Sequence, residues 1–176
     1  FNALSTGETV TDQFADIGVS VSAVANGSGA DQAMIFDTNN PTGGDDDLAT
    51  DNLDNVLVIS QDGDASAPND NAMGGTFTFD FVEGVSIKSL TFLDLEAPAR
   101  LTFFAADGTI LSEQFVPAIG DNAQNEVQLF VPGTARFEVA LEGSGAIDNL
   151  VFEDDSDDEV DPVLVAFLLS ILYFLT

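Results

Sequence analysis

Hydrophobic and polar residues alternate along most of this chain with a period of two. In TFTFDF, at residues 76–81, every second residue is Phe, and in RFEVALE, at residues 136–142, Phe137, Val139 and Leu141 alternate with charged or small residues. Successive side chains of a β-strand point to opposite faces, so this alternation is typical of strands with one buried face. Further strands are predicted in GVSVSAV, NVLVIS, VSIKSLTFLDL, RLTFFAA, TILSEQFV, EVQLFV and AIDNLVF.

The segments between the predicted strands are rich in Gly, Asn, Asp and Pro, which favour turns. Asp107 and Gly108 separate two predicted strands and are typical of a tight hairpin. No long amphipathic helix pattern interrupts the roughly nine strands expected at this spacing. The pattern therefore predicts an all-β fold, a β-sandwich of jelly-roll-like or immunoglobulin-like type, over residues 1–152.

The C-terminal part of the chain departs from this pattern. Residues 153–161, EDDSDDEVD, are mostly acidic, and residues 162–176, PVLVAFLLSILYFLT, are almost wholly apolar. Asp161 can cap the first free amides of a helix, and Pro162 suits the first helical position. Leu and Phe outnumber β-branched residues here, which favours a hydrophobic C-terminal helix over a donor strand inserted into a neighbouring sandwich. The predicted organisation is a sandwich domain (1–152), an acidic linker (153–161) and an apolar assembly or anchoring helix (162–176).

A helix that is apolar on every side has to be buried all round, and three sites of burial compete. A membrane is one, although about 22 Å of helix is short for about 30 Å of hydrocarbon, and no Lys or Arg flanks the segment. The chain's own sandwich is disfavoured because the acidic linker holds the segment away. Burial against copies of the same segment is the leading hypothesis. The assembly residues are then Pro162, Val163, Leu164, Val165, Phe167, Leu168, Leu169, Ile171, Leu172, Phe174 and Leu175.

Charge narrows the choice of partners. The chain has 31 acidic and three basic residues, for a formal charge of -28. Nucleic acid is excluded as a partner, because a phosphate backbone needs Lys and Arg to displace its counterions. The content of 15 Phe indicates a folded protein with a core. So much surface acid calls for bound divalent cations or a high-salt environment, and composition leaves both open.

Catalytic chemistry finds no support in the composition. The chain has no Cys and no His, which excludes disulfides, thiol nucleophiles and His-dependent triads. Paired carboxylates can hydrolyse glycosides, but among so many acidic residues close pairs arise by chance. We expect no enzyme and assign no catalytic residue. The chain begins at Phe1 rather than Met, from which we expect a mature exported protein, located extracellularly or on the cell surface. The alternative is a sequence that was trimmed at its start for another reason.

Two long breaks are full of side-chain oxygens, which are the ligands that Ca²⁺ prefers. They span residues 37–54 and 61–75, and no EF-hand pattern occurs in either. The alternative for any single Asp is a solvated loop of an acidic surface. The candidate Ca²⁺ ligands are Asp37, Asn39, Asp45, Asp46 and Asp47 from the first break, and Asp62, Asp64 and Asp70 from the second.

Several segments also resemble a known group of proteins. TGETVTDQFADIGVSVSA, FDTNNPTGGDDDL, NVLVIS and LEGSGAIDNLVF are similar to secreted β-sandwich domains of exported bacterial and archaeal surface proteins, which look like calcium-bearing carbohydrate-binding modules. The resemblance covers most of residues 6–152. It implies a jelly-roll fold and a structural Ca²⁺ that ties the first strand to the last. Glu8 and Asp148 then become candidate ligands, with carbonyls near Asn26 and Gly27 as helpers.

Two functions follow as hypotheses. The leading one is a structural subunit of an extracellular filament or surface layer, a calcium-stabilised homopolymer joined through its apolar C-terminal segment. The alternative is a membrane-anchored module that recognises glycans or matrix through its calcium loops. The lack of Trp, and a single Tyr that lies in the apolar segment, weaken the sugar-binding alternative. Asn26 begins an Asn-Gly-Ser sequon and is a predicted glycosylation site.

Overall fold

The computed structural model describes residues 1–155, so the predicted helix at 162–176 and most of the acidic linker lie outside the described residues. The described part is an antiparallel all-β protein, as predicted. No helix within it has the length and apolar character needed to cross a lipid bilayer. The strands are β1 (Val19–Ala25), β2 (Ala33–Asp37), β3 (Asn55–Ile59), β4 (Gly75–Leu93), β5 (Ala99–Phe104), β6 (Ile110–Val116), β7 (Gln124–Leu141) and β8 (Ala146–Asp154), and the 3-10 helices are η1 (Ala15–Ile17) and η2 (Asp46–Leu48).

Two long strands, β4 and β7, contribute to both sheets of the sandwich. In the first sheet, residues 75–81 of β4 lie between β1 and β7, and β5 and β6 continue beyond β7. In the second sheet, residues 85–93 of β4 lie between β7 and β8, and β3 and β2 continue beyond β8. The register of β4 against β7 shifts between Asp80 and Val85. Such irregularities bend strands, which lets one pair of strands cross from one sheet to the other.

The main core lies between the two sheets. The alternate Phe residues of β4 are buried there, as the sequence pattern predicted. Phe103 of β5 stacks on Phe137 of β7 with ring centroids 4.6 Å apart, and Phe79 stacks on the same ring at 6.0 Å. Ile87 and Phe92 of the second sheet complete the core from the other side. The predicted β-sandwich is therefore confirmed.

The strand count differs from the prediction in two ways. TFTFDF and VSIKSLTFLDL, predicted as separate strands, form the single strand β4, and EVQLFV and RFEVALE form β7. The strand β2 was not predicted, because its residues AMIFD show no alternation. Both of its faces are covered: Ile35 belongs to the main core, whereas Met34 and Phe36 pack in a second cluster with Leu48 and Leu53. That second cluster anchors the loop at residues 38–54 against the outside of the second sheet.

The predicted hairpin at Asp107 and Gly108 is present between β5 and β6. Gly108 has φ +81°, and Oδ1 of Asp107 accepts a hydrogen bond from the Thr109 amide at 2.9 Å. The side chain of Asp107 thus closes the turn, and Gly108 supplies a conformation that other residues adopt only with strain.

Strand register sets which loops meet. Leu93 of β4 lies opposite both Gln124 of β7 and Ala146 of β8. The loops at residues 94–98, 117–123 and 142–145 therefore emerge together, and we call this the loop end of the sandwich. The opposite end, where β4 and β7 bend, we call the bend end.

Candidate metal centre

Acidic side chains from separate loops converge at the loop end. Asp47 belongs to η2, Asp94 directly follows β4, and Asp121 precedes β7, yet one carboxylate oxygen of each lies within 4.8 Å of one carboxylate oxygen of the other two. Among residues 1–155, no other group of three or more acidic side chains meets at this spacing.

Two further aspartates extend this group. The Asp70 amide donates to Oδ2 of Asp45 at 2.6 Å, and Oδ2 of Asp70 accepts from the Ser144 hydroxyl at 2.6 Å and the Gly145 amide at 2.7 Å. The same Ser144 hydroxyl lies 3.3 Å from Oδ2 of Asp94. We call the five residues Asp45, Asp47, Asp70, Asp94 and Asp121 the acidic cluster.

Asn122 holds two of the loops in place. Its backbone amide donates to Oδ1 of Asp94 at 2.7 Å, and its side-chain amide donates to the carbonyls of Asp47 and Ala49. Both Asp94 and Asn122 have positive φ, at 56° and 52°. Asp and Asn tolerate this left-handed conformation better than other residues with side chains. The positions of Asp47 and Asp94 are therefore fixed relative to each other.

Burial makes the negative charge of the cluster costly. Asp94 is 0% exposed and Asp70 is 7% exposed. Burial, with repulsion from neighbouring carboxylates, raises the pKa of Asp45 to about 6 and that of Asp94 to about 6. Burial also raises the pKa of Asp70, although the hydrogen bonds from Ser144 and Gly145 act in the opposite direction. The cluster therefore favours any arrangement that neutralises it, whether by protons or by a cation.

No basic side chain neutralises the acidic cluster. The chain has only three, and each pairs with a different carboxylate: Lys88 with Glu153, Arg100 with Glu113 and Arg136 with Asp80. The acidic cluster is thus left without a protein cation within ion-pairing distance, unlike most groups of buried carboxylates.

A residue next to the cluster in sequence has a buried oxygen without a hydrogen-bond donor. Within residues 1–155, Oδ1 of Asn69 is buried and has no hydrogen-bond partner. Asn69 precedes Asp70 and packs against Gly43, where an added Cβ would lie 2.3 Å from the Cβ of Asn69. The possible metal ligands in this region are carboxylate and amide oxygens, which suit a hard divalent cation such as Ca²⁺.

The structure brings together only some of the ligands predicted from sequence. Asp45 and Asp47 from the first break and Asp70 from the second lie in the acidic cluster. That they share one Ca²⁺ stays a prediction. Asp46 lies between two of them and is exposed. The cluster members Asp94 and Asp121 were missed. Asp94 lies within the predicted strand VSIKSLTFLDL, although β4 ends one residue before it, and Asp121 lies between the predicted strands TILSEQFV and EVQLFV. Only the pairing of β4 with β7 reveals that these two residues meet.

The other ligands predicted from the two breaks have hydrogen-bond partners outside the acidic cluster. Oδ1 of Asp37 accepts from the Asn39 amide at 3.0 Å, and Asn39 donates to Asp54. Oδ1 of Asp62 accepts from the amide of Asp64, whose own carboxylate accepts from Ser66. The contacts of Asp37, Asp62 and Asp64 are short-range turn contacts, whereas Asn39 contacts Asp54, which lies 15 residues further along the chain.

The two ligands implied by the resemblance lie apart from the acidic cluster and have different partners. Glu8 accepts from the Ser5 amide at 3.1 Å and from the side chain of Gln13 at 3.2 Å. Asp148 is buried, and its Oδ1 lies 3.6 Å from the amino group of Phe1. Burial raises the pKa of Asp148.

The predicted glycosylation site is engaged in the fold. Nδ2 of Asn26, the atom that would carry a glycan, donates to the carbonyl of Met73 at 2.8 Å and to that of Leu141 at 3.4 Å. The backbone carbonyl oxygen of Asn26 accepts a hydrogen bond from Nδ2 of Asn71 at 2.9 Å. A glycan on Asn26 would disturb these contacts, which join β1 to the loop before β4.

Comparison with known proteins adds fold-level likeness only. No protein-family model matches the chain, and no curated protein matches it. Solved structures with some likeness include the galactose complex of a family 32 carbohydrate-binding module from Clostridium perfringens NanJ, at 10% identity and TM-score 0.39 over 80% of this chain and 98% of that one. The enzymatically active domain of bacteriophage CBA120 tailspike protein 4 has 16% identity and TM-score 0.40 over 87% of this chain and 21% of that one.

A fucose-binding module from Streptococcus pneumoniae has 10% identity and TM-score 0.34, over 43% of this chain and 58% of that one. The lectin domain of lectinolysin in complex with Lewis b antigen has 9% identity and TM-score 0.34. The match covers 44% of this chain and only 60% of that domain. All of these TM-scores are below 0.5. We therefore transfer no ligand and no function from these proteins.

Proposed function

We propose that this chain is a calcium-dependent, non-catalytic binding module of the cell exterior, and that the acidic cluster holds its Ca²⁺. The observation that carries the proposal is the meeting of five carboxylates from four loops, two of them deeply buried, with no basic side chain among them. Calcium would supply positive charge that the chain itself does not provide there.

The residues of the cluster would have different roles in the Ca²⁺ site. Asp70 and Asp94, buried and held by Ser144, Gly145 and Asn122, would form the fixed inner side of the site. Asp45 and Asp47 come from the loop anchored by the second hydrophobic cluster. A cation that bridges these loops would stabilise the loop end, because it binds the folded chain and not the unfolded one.

Exposure on one side gives the site a route to an external ligand. Asp121 is exposed and Asp47 is half-buried, so a cation among these residues would face solvent. Coordination positions not filled by protein oxygens could then take hydroxyl or carboxylate oxygens of a glycan or matrix polymer. This is the oxygen-rich ligand class that we propose for the module.

The test combines metal binding with ligand binding. Metal-free protein is titrated with Ca²⁺ by calorimetry, and the same preparation is applied to a glycan array with Ca²⁺ and with chelator. We expect Ca²⁺ binding to wild type and to Asp16→Asn, an exposed aspartate in η1 far from the cluster in the chain, and strongly reduced binding to Asp94→Asn. Absence of Ca²⁺ binding to wild type would refute the metal site, and absence of calcium-dependent array signals would refute the glycan ligand.

A filament or surface-layer subunit is a second candidate, favoured by a different feature. One side of the sandwich carries an open apolar groove, whose lining includes Ile17, Leu150 and Phe152. Such a surface is typical of a site that meets another protein surface. An assembly of this kind would require both the groove and the apolar C-terminal segment.

A further inference from the structure

An apolar groove opens along one side of the sandwich. Its cavity volume is 280 Å³, and its walls include Phe14, Ile17, Val19, Phe79, Leu150 and Phe152. A second depression of 340 Å³ continues it toward the bend end, sharing Ile17 and Phe152 and adding Val82 and Val85. We call the two together the side groove.

Large apolar side chains at the side groove remain exposed. Ile17 is 58% exposed, Val82 is 84% exposed and Val151 is 47% exposed. Covering apolar surface is favourable by about 25 cal/mol per Å². An apolar occupant of the side groove would therefore gain free energy that the described residues alone leave unused.

The side groove borders an open strand edge. β3 pairs with β8 only at Ala146 and Ile147, whereas the opposite side of β8 pairs with β4 as far as Asp154. Within residues 1–155, no strand pairs with the outer edge of β8 from Leu150 to Glu153. An open edge of this kind accepts an added strand through its backbone groups.

We propose that the side groove receives the apolar C-terminal segment, residues 163–175, of a second copy of this chain. The segment has the required chemistry, since only two of these residues, Ser170 and Tyr173, carry a polar side-chain atom. The described chain ends at Asp155, directly after the strand that lines the groove, and the Ser86 hydroxyl and the Gly133 amide donate hydrogen bonds to the Asp155 carboxylate. The linker of each copy therefore starts at the bend end of its own sandwich.

Charge distinguishes a second copy from the chain's own segment. The linker carries Asp157, Asp158 and Glu159. To return its own segment to the side groove, the chain would have to turn these carboxylates back beside Glu83 and Asp154, which line the groove near the bend end. A second copy can enter from the other end and keep its linker away from these acids. Repulsion between like charges at close range therefore disfavours docking of the chain's own segment.

The open edge also favours one form of docking. Apolar side chains alone would suit a helix or a strand, but only an added strand would also form a ladder of hydrogen bonds with the backbone groups of β8 between Leu150 and Glu153. The segment would then extend the second sheet of its neighbour. Repeated head-to-tail, this contact builds a filament, and made reciprocally it builds a closed dimer.

Cysteine cross-linking of the full chain tests the proposal, because the chain has no Cys of its own. Full-length Val151→Cys and Leu168→Cys proteins are mixed and oxidised, and the products are separated by mass. We expect a mixed disulfide dimer. The matched control replaces Val151→Cys by Phe115→Cys, which is 71% exposed on β6 of the other sheet, and its mixed-dimer yield should be about tenfold lower.

Three outcomes would overturn the proposal. One is equal cross-linking of the groove and control positions. Another is a monomeric disulfide in the double variant Val151→Cys/Leu168→Cys at high dilution, which would assign the side groove to the chain's own segment. The third is cross-linking that disappears whenever lipid vesicles are present, which would place the segment in a membrane.

The experiment is run with Ca²⁺ and with chelator. The side groove and the acidic cluster involve different residues, so we expect the mixed dimer under both conditions. The inference does not rest on the proposed calcium site, and the two can fail separately: loss of Ca²⁺ binding leaves the cross-link intact, and loss of the cross-link leaves Ca²⁺ binding intact.

Discussion

Ser144 donates its hydroxyl hydrogen bond to Asp70 across the loop end, at 2.6 Å, while the same hydroxyl lies 3.3 Å from Asp94. A hydroxyl has one proton to donate, so the two buried carboxylates compete for it. Asp70 has a second donor in the Gly145 amide, and Asp94 has one in the Asn122 amide. The acidic cluster is thus rich in hydrogen-bond acceptors and short of positive charge.

Asp94→Asn should raise the melting temperature in chelator and diminish the stabilisation by Ca²⁺. Asn keeps an acceptor for the Asn122 amide but removes one buried negative charge, which relieves repulsion from Asp47 and Asp70. For wild type, Ca²⁺ at 100 times its Kd should add about 2.7 kcal/mol to the free energy of unfolding. Thermal melts with Ca²⁺ and with chelator measure both effects. Asp16→Asn serves as the control and should respond to Ca²⁺ as wild type does.

Metal-free protein should lose stability as the pH rises from about 4 to above 6. The native pKa of Asp45 and that of Asp94 are each about 6, against an ordinary 3.8. In this window the folded chain therefore binds more protons than the unfolded chain, and the free energy of unfolding falls with rising pH. Urea unfolding across this range measures the slope. Because surface repulsion acts in the same direction, the informative comparison is with Asp94→Asn, whose slope should be smaller; an equal slope would contradict the assignment.

Calcium affinity should fall as the pH drops below 6. Protons and Ca²⁺ compete for the same carboxylates of Asp45 and Asp94. If both must be deprotonated, the Kd should rise by up to about two decades per pH unit well below pH 6. Calorimetric titration at several pH values measures this dependence. A Kd that stays constant from pH 7 to pH 5 would show that Asp45 and Asp94 do not bind the Ca²⁺.

Phe137→Ala should lower the free energy of unfolding by about 3 to 5 kcal/mol. The ring of Phe137 is fully buried between Phe79 and Phe103, so its removal leaves a cavity at the centre of the first sheet. Phe115→Ala is the control, since that side chain projects from β6 into solvent and its loss should change stability little. Urea denaturation of both variants makes the comparison.

Two glycines should respond differently to alanine. At Gly108, φ is +81° and an added Cβ meets nothing within 4 Å, so Gly108→Ala should cost only the backbone strain of about 1 to 2 kcal/mol. At Gly75, an added Cβ would lie 2.4 Å from the Val24 carbonyl oxygen. Gly75→Ala should therefore cost clearly more, because β1 and β4 have to separate. Equal losses in urea denaturation would contradict the close approach of these strands.

The period-two pattern by itself determined the class of fold and the inward faces of the strands. Phe77, Phe79 and Phe81 can all reach a core only from one face of a strand, and they are buried there. Asp107 and Gly108 likewise set their hairpin through local turn chemistry. Local signals failed where a strand was covered on both faces, as in β2, and where two predicted strands continued through a bend, as in β4 and β7.

The sequence alone also singled out Asp45, Asp47 and Asp70 as oxygen donors in long breaks. It could not select them from neighbours such as Asp37 and Asp62, because all sit in similar acidic loops. That choice depends on strand pairing: Leu93 lies opposite both Gln124 and Ala146, and this register carries Asp94, Asp121 and Ser144 to one place. Residue types and local spacing are properties of the sequence, whereas the meeting of distant loops, and the open edge of β8, are fixed only when the sheets form.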